Sequence, residues 1–233
     1  LDDANPVVSV VDAEINNEIN LGSFNNISTP NDRAYMIYTS GSTGEPKGAL
    51  IHHKGALNHI LAECDVLGFD GAFNFLQSAP SSSDISVWQL LGPIVRGGKT
   101  VILADVTDIP TLFRLLTTEC IDIAELVPAV LQILIEHVST LEAKERALPN
   151  LKWMMATGEA VSVALVNRWL ALYPNIPVVN AYGPTEASDD VIQSITTEAL
   201  GKNETSVPIG VPLPNMNVFV LDQKGRLLPN GVA

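Results

Sequence analysis

The segment "YTSGSTGEPKG", Tyr38 to Gly48, gathers Gly, Ser, Thr and a single Lys between two apolar runs. Successive small residues such as Gly41 and Gly44 let backbone N–H groups point into one concavity, which suits a phosphate. The hydroxyls of Thr39, Ser40, Ser42 and Thr43 add donors, and the Lys47 ammonium adds a mobile point charge. A plain surface turn has the same composition, so the loop taken alone admits both readings. The phosphate-loop pattern G-x-x-x-x-G-K-[ST] does not fit, since Pro46 precedes Lys47 and Gly48 follows it. The next residues, "GALIHH", read as a short strand and not as a phosphate-binding helix.

A second segment, "NAYGPTEASDD", runs from Asn180 to Asp190. Tyr182 offers a flat ring on which a base can stack, and Gly183-Pro184 forces a sharp turn. Thr185 then sets a hydroxyl beside the Glu186 carboxylate, a group able to hold Mg²⁺ while water and substrate phosphates fill its other positions. A strand-to-turn junction capped by Thr and Glu is the plainer alternative.

These residues need a scaffold that brings them together. Apolar runs suited to buried strands occur at "AYMIYT", "FNFLQSA", "KTVILAD", "DIAEL", "LKWMMAT" and "IPVVNAY". Helical periodicity fills "GALNHILAECDVL", "ISVWQLLGPIV", "PTLFRLLTTE", "PAVLQILIEHV" and "ALVNRWLALY". Strands alternating with helices predict an α/β fold with a largely parallel sheet flanked by helices. The lead-in through residue 33 reads as irregular with one short strand at "PVVSVV", and "NVFVLDQKGRLLP" reads as a β-hairpin turning at Gly225. Ligands of such sheets bind beyond the carboxyl ends of the strands. Asp84, Glu125, Thr157-Gly158-Glu159 and Asn180 to Glu186 all fall there. The stripe Leu131, Leu134, Ile135 and Val138 is core packing. His52, His53, His59 and His137 lack metal-ligand spacing and read as loop or helix-surface residues.

Composition narrows the partners. With 233 residues and 46% hydrophobic content the chain can bury a substantial core. Thirteen Lys plus Arg against 26 Asp plus Glu leave a net charge of −13, which repels nucleic acid and anionic membranes. The most apolar run, "AELVPAVLQILIEHV", is broken by Glu125, Pro128 and Glu136 and is too short to span a bilayer. Cys64 and Cys120 form neither a disulfide framework nor a metal motif, and a reducing cytoplasm is expected. The ends, "LDDANPVV" and "LLPNGVA", read as cut from a longer polypeptide.

Together the two polar segments resemble the adenylate-forming, AMP-binding superfamily, in particular the amino-acid adenylation domains of nonribosomal peptide synthetases. The loop matches "YTSG[ST]TGxPKG" and "NAYGPTE" matches in full; "DISVWQLLGPIVRGGKTVI", "ATGEA" and "PIGVPLPNMNVFVLDQKGRLLPNGVA" extend the resemblance over nearly the whole chain. It implies that residues 1–233 are a partial adenylation domain, the core of a large N-terminal domain without its first part and without the small C-terminal domain. It further implies that ATP, with Mg²⁺, and an amino acid form an aminoacyl adenylate, which passes to phosphopantetheine on a carrier domain, with condensation domains as further partners.

Carried over by position, Thr39 to Lys47 would hold the departing phosphates, Asn180 and Tyr182 would face the adenine beside Gly183, Thr185 would touch a phosphate and Glu186 would bind Mg²⁺. Asp84 would pair with the substrate α-ammonium, although as an isolated residue it reads as the N-cap of "ISVWQLL". The family's Phe before this Asp is Ser83 here. The acid pocket would be lined by Asp84, Ile85, Trp88, Glu125, Met155, Thr157, Ala181, Asp189 and Asp190. So many carboxylates imply a basic substrate side chain, with Trp88 flanking its stem, unless Glu125 or the Asp pair turns away to bond backbone. The ribose-binding Asp, the hinge and the C-terminal catalytic Lys of the family lie beyond the chain, so residues 1–233 alone are expected to adenylate poorly. Two other readings stand beside this one: an acyl-CoA or aryl-acid ligase of the same superfamily, and a non-catalytic nucleotide-binding module.

Overall fold

The computed structural model describes residues 27–40, 45–201, 203–229 and 231. The loop residues Gly41, Ser42, Thr43 and Gly44 and the strand expected at "PVVSVV" lie outside them.

The chain enters through an antiparallel pair, β1 (Arg33–Thr39) and β2 (Lys47–His52), with Thr39 opposite Lys47 at its open end. The glycine-rich loop therefore connects the arms of a hairpin, as the strand-like "GALIHH" predicts. Helix α1 (His53–Val66) follows directly, and His52 accepts from Gly55 N at 3.0 Å to cap it.

The remaining strands are β3 (Asn74–Gln77), β4 (Lys99–Ile102), β5 (Ile123–Leu126), β6 (Trp153–Ala156), β7 (Val178–Tyr182), β8 (Ile192–Thr196) and β9 (Val211–Pro212). They form one sheet in the order β4-β3-β5-β6-β7-β8-β9, parallel from β4 to β7 and antiparallel beyond. The helices between them are α2 (Ile85–Val95), α3 (Ile109–Thr118), α4 (Pro128–Ser139) and α5 (Val163–Leu172). Asp108 and Ser162 cap α3 and α5 through Thr111 N and Leu165 N, each at 3.2 Å, and Pro128 opens α4 where no donor is needed.

Side chains alternate across this sheet and divide the core in two. Leu76, Ala124, Met154, Ala156 and Val178 point to the layer of α3, α4 and α5, where Leu131, Leu134, Ile135 and Val138 pack as expected. Phe75, Ile123, Met155, Val179 and Ala181 point to the layer of α1 and α2 with Ile60, Cys64 and Trp88. Glu125 has Met155 as its register partner, and Met155 has Val179, so Glu125 sits in a row that faces α1 and α2.

The chain's second half holds one expected element and one that the residue pattern misses. The hairpin expected at Gly225 forms as a short antiparallel pair, with the bridge Leu221–Leu227 flanked by Leu228 N donating to Val220 O at 2.9 Å and Asp222 N donating to Arg226 O at 2.8 Å. Asp222 Oδ1 accepts from Lys224 N and Arg226 N, which closes the turn, while Phe219 and Val220 stay exposed. Strand β8 is absent from the sequence pattern, because Gln193 and Ser194 interrupt its apolar run. It forms because β7 offers it a free edge.

Candidate functional site

The two polar segments meet at the carboxyl ends of the central strands. Strand β2, which begins at Lys47, packs against a 3-10 turn at Thr185–Ala187 that follows β7. Thr39 Oγ1 donates to Lys47 O at 3.3 Å, which ties off the base of the glycine-rich loop, and Lys47 itself is exposed. Beyond the turn, Ser188 and Asp189 both adopt left-handed backbone, at φ 75° and 86°. Such conformations are uncommon for residues with side chains and concentrate at functional sites. They swing Asp189 and Asp190 back into the protein, where both are buried.

Glycine makes the turn possible. A Cβ on Gly183 would lie 1.9 Å from Asp189 O, so only a hydrogen allows β7 to run so close to the returning chain. Gly183 therefore has a structural duty besides lining the adjacent cavity.

That cavity, about 420 Å³, is lined by Gly158, Glu159, Asn180, Ala181, Tyr182 and Val207 among others. Tyr182 is 55% exposed, so its ring face is free to receive a flat group. Asn180 Nδ2 donates to Pro208 O at 2.8 Å, which commits the amide nitrogen and leaves the amide oxygen to accept a hydrogen bond. An apolar-walled slot with one aromatic face and one acceptor fits a purine with an exocyclic amine. Glu186, at the start of the 3-10 turn, is exposed and makes no hydrogen bond or ion pair among the described residues. A lone accessible carboxylate of this kind fits Mg²⁺.

Asp84 bridges the two halves of the site. Its Oδ1 accepts from Ile85 N at 3.0 Å and Ser83 Oγ at 3.2 Å, and its Oδ2 accepts from Thr185 Oγ1. The capping role read from the sequence is thus real, and Ser83 supports it. The second oxygen turns to the motif a hundred residues away.

Behind Asp84 lies a compact group of acids. Glu125, Asp189 and Asp190 are all buried, with Thr157 Oγ1 donating to Asp190 Oδ1 at 3.3 Å and Gln89 Nε2 to Glu125 Oε2 at 3.4 Å. Burial, then the neighbouring acids, raise Glu125 and Asp189 well above the usual carboxylate range. Burial pushes Asp190 up to about 7, while the Thr157 bond pulls it down. None of the three turns away to bond backbone.

Three sequence readings change here. Trp88 does not flank an open pocket: it is fully buried, with Phe75 edge-on at 5.3 Å and the rings of Phe73 and His59 each at 6.0 Å. The bulky ring fills the space that Gly92 leaves one turn along α2. Met155 and Ala181 likewise belong to the α1/α2 core, and Ile85 is half-buried at the start of α2. His59 is no surface residue, since it is buried beside Asp189, and burial lowers its pKa to about 4. Glu63, one turn further along α1, escapes the sequence reading altogether and joins the acids. The i, i+4 spacing of His59 and Glu63 is a signal for a shared face, but which face α1 buries follows only from its packing on α2.

The chain matches the family model described as "AMP-binding enzyme" over residues 3–233. It is 36% identical over 202 residues to malpinin synthetase from Mortierella alpina, covering 86% of this chain and 2% of that protein. It is 34% identical over 211 residues to zwittermicin A synthase ZmaJ from Bacillus cereus, covering 88% and 40%. Tyrocidine synthase 3 from Brevibacillus parabrevis is 32% identical over 213 residues, covering 91% and 3%. The chain thus spans between 2% and 40% of the length of these relatives. Among solved structures it resembles the AMPPNP-bound form of the nonribosomal peptide synthetase FmoA3, with TM-score 0.76, 26% identity and coverage of 85% and 21%. PA1221, an NRPS protein containing adenylation and PCP domains, is similar with TM-score 0.71 and 26% identity, covering 86% and 39%.

Proposed function

Because the chain belongs to the AMP-binding enzyme family, we propose that it is the nucleotide- and acid-binding core of an amino-acid-adenylating ligase acting within a longer synthetase. In this reading the carboxylate of an amino acid attacks the α-phosphate of ATP, pyrophosphate leaves, and the aminoacyl adenylate is handed to the phosphopantetheine thiol of a carrier domain. Tyr182 and Asn180 receive the adenine, and Lys47 with Thr39, Ser40 and Gly41 to Gly44 follows the departing phosphates. Thr185 donates to a phosphate oxygen. Mg²⁺ held by Glu186 neutralises charge on the phosphates when bound. These are positioning and electrostatic roles, which dominate phosphoryl-type chemistry.

The observation that carries the reading is the Asp84–Thr185 hydrogen bond beside the Tyr182 cavity. It supports one crevice in which an amine and a nucleotide would lie side by side, with Asp84 Oδ2 exchanging Thr185 for the substrate α-ammonium. A ligase for acids without an α-amine has no use for that carboxylate. The buried acids Glu125, Asp189 and Asp190 favour a basic side chain on the substrate, because unpaired carboxylates in the interior are costly. ATP–pyrophosphate exchange by the full-length polypeptide carrying this chain tests the reading across amino acids, aryl acids and fatty acids. Exchange with an aryl or fatty acid and none with amino acids would refute it.

A further inference from the structure

Helix α1 brings two ionisable side chains against the acid cluster. His59 and Glu63 are both buried. His59 Nε2 stands 3.8 Å from Glu63 Oε1, and its Nδ1 stands 4.0 Å from Asp189 Oδ2, both beyond hydrogen-bond range. His59 Nε2, both Glu63 carboxylate oxygens, Glu125 Oε1, Asp189 Oδ2 and Asp190 Oδ2 are buried without a hydrogen-bond partner. Buried polar atoms are nearly always satisfied, so this many orphans around one point mark a place for a donor-rich group.

No Lys or Arg of the described residues supplies it. Their ion pairs, Arg96–Asp65, Lys99–Glu119, Lys144–Glu142, Lys152–Asp122 and Arg226–Asp222, all lie elsewhere. A single metal ion is a poor match. The two nitrogens of His59 face different carboxylates, so one ion can use only one of them. One possible ligand set, His59 with Asp189 and Asp190, has its ligand atoms within 4.8 Å of one another, yet it draws on only three of the buried groups. Glu63 and Glu125 would also remain unserved. An ammonium with three donors or a guanidinium with five can address several carboxylates at once.

We propose that Glu63, together with Glu125, is the terminal anchor of the substrate pocket, taking the distal protonated nitrogen of an amino acid such as a diamino acid or a guanidino acid, with His59 standing between Glu63 and Asp189. The inference rests on the amino-acid-adenylation reading. It adds to that reading a specificity residue on α1, outside both polar motifs. Burial lowers the pKa of His59 and raises that of Glu63, and a cation beside these acids would offset the cost of ionising them there.

The test is ATP–pyrophosphate exchange by the full-length polypeptide with lysine, ornithine and arginine, set against the neutral isosteres norleucine and citrulline. The wild type is expected to prefer the cations. Glu63→Gln is expected to raise KM for the cationic substrate by about 30-fold or more with kcat largely kept, and to narrow the preference over the isostere. Glu63→Asp is expected to recover part of the loss. Should the Gln variant not fold, the wild-type comparison of lysine with norleucine still decides, since a preference for norleucine overturns the anchor. Exchange with amino acids but an unchanged preference in Glu63→Gln overturns the anchor and leaves the adenylation reading standing. Exchange with no amino acid overturns both. Stoichiometric bound metal that is lost in His59→Ala also overturns the anchor.

Discussion

Thr185 Oγ1 donates a hydrogen bond to Asp84 Oδ2 across 101 positions of sequence. One residue lies in the turn proposed to meet a phosphate, the other at the head of the helix proposed to meet an amine. The bond holds each side chain against the other. In the proposed reading, ligand binding would exchange hydrogen-bond partners at two side chains that are already ordered.

Removing that hydroxyl tests whether it serves the reaction or only the fold. Thr185→Val keeps the volume and the β-branch but loses the donor. Exchange activity of the full-length polypeptide is expected to fall by about 10²–10³ in kcat/KM, the range for one lost donor at a developing negative charge. Thr185→Ser is expected to retain most of it. Equal losses in both variants would assign Thr185 to packing.

The cavity beside Tyr182, proposed to take the adenine, makes a separate prediction. Tyr182→Ala is expected to weaken ATP binding by about 1–3 kcal/mol, the usual value of one base–aromatic stack, while leaving the amino acid KM unchanged. Calorimetric titration with ATP in the presence of Mg²⁺ measures it. Glu186→Gln in the same titration is expected to lose the Mg²⁺ dependence of ATP affinity, and a retained dependence would remove Glu186 from the metal.

Stability should fall as pH rises. Glu63, Glu125 and Asp189 have raised pKa values, Asp190 is raised to about 7, and His59 is lowered to about 4. Between about pH 5 and pH 7 the unfolded chain has ionised these carboxyls and retains only a partial proton on His59, whereas the folded chain keeps its carboxyl protons. The folded state thus binds more protons, and its stability is lost as pH rises toward and beyond the raised values. His59 opposes this below its unfolded pKa but is one group against four. The urea midpoint is expected to drop between about pH 5 and pH 8, and Asp190→Asn is expected to flatten the slope. A midpoint that climbs over this range contradicts the proton count.

Gly183 offers a test of geometry. With only 1.9 Å between an added Cβ and Asp189 O, there is no room for even a methyl group. Gly183→Ala is expected to cost about 1–3 kcal/mol by overpacking, read as a lower urea midpoint, and to displace Asp189 and Asp190 with the turn. An unchanged midpoint would mean that the turn relaxes freely.

Much of the scaffold is legible in the residue pattern. The runs "LKWMMAT" and "IPVVNAY" are short, apolar and bounded by turn residues, and they contain β6 and β7; "ISVWQLLGPIV" appears as α2 with those limits. Strand β8 escapes because its pairing partner, not its own composition, makes it a strand. Glu125 is readable as a residue at a strand's carboxyl end, yet its burial depends on the alternation that turns it toward α1 and α2.

The amino-acid sequence alone determined which groups are available: a loop of small residues before one lysine, a tyrosine-glycine-proline turn with a hydroxyl and a carboxylate, and an excess of acids. Such local chemistry is written in adjacent positions, where spacing and backbone preference act directly. Tertiary structure alone decided that Trp88 is core, that Thr185 reaches Asp84, and that His59 and Glu63 face Asp189 and Asp190. Those relationships span many residues and are set by how two helices pack on one face of a sheet, which the period of a helix allows but does not choose.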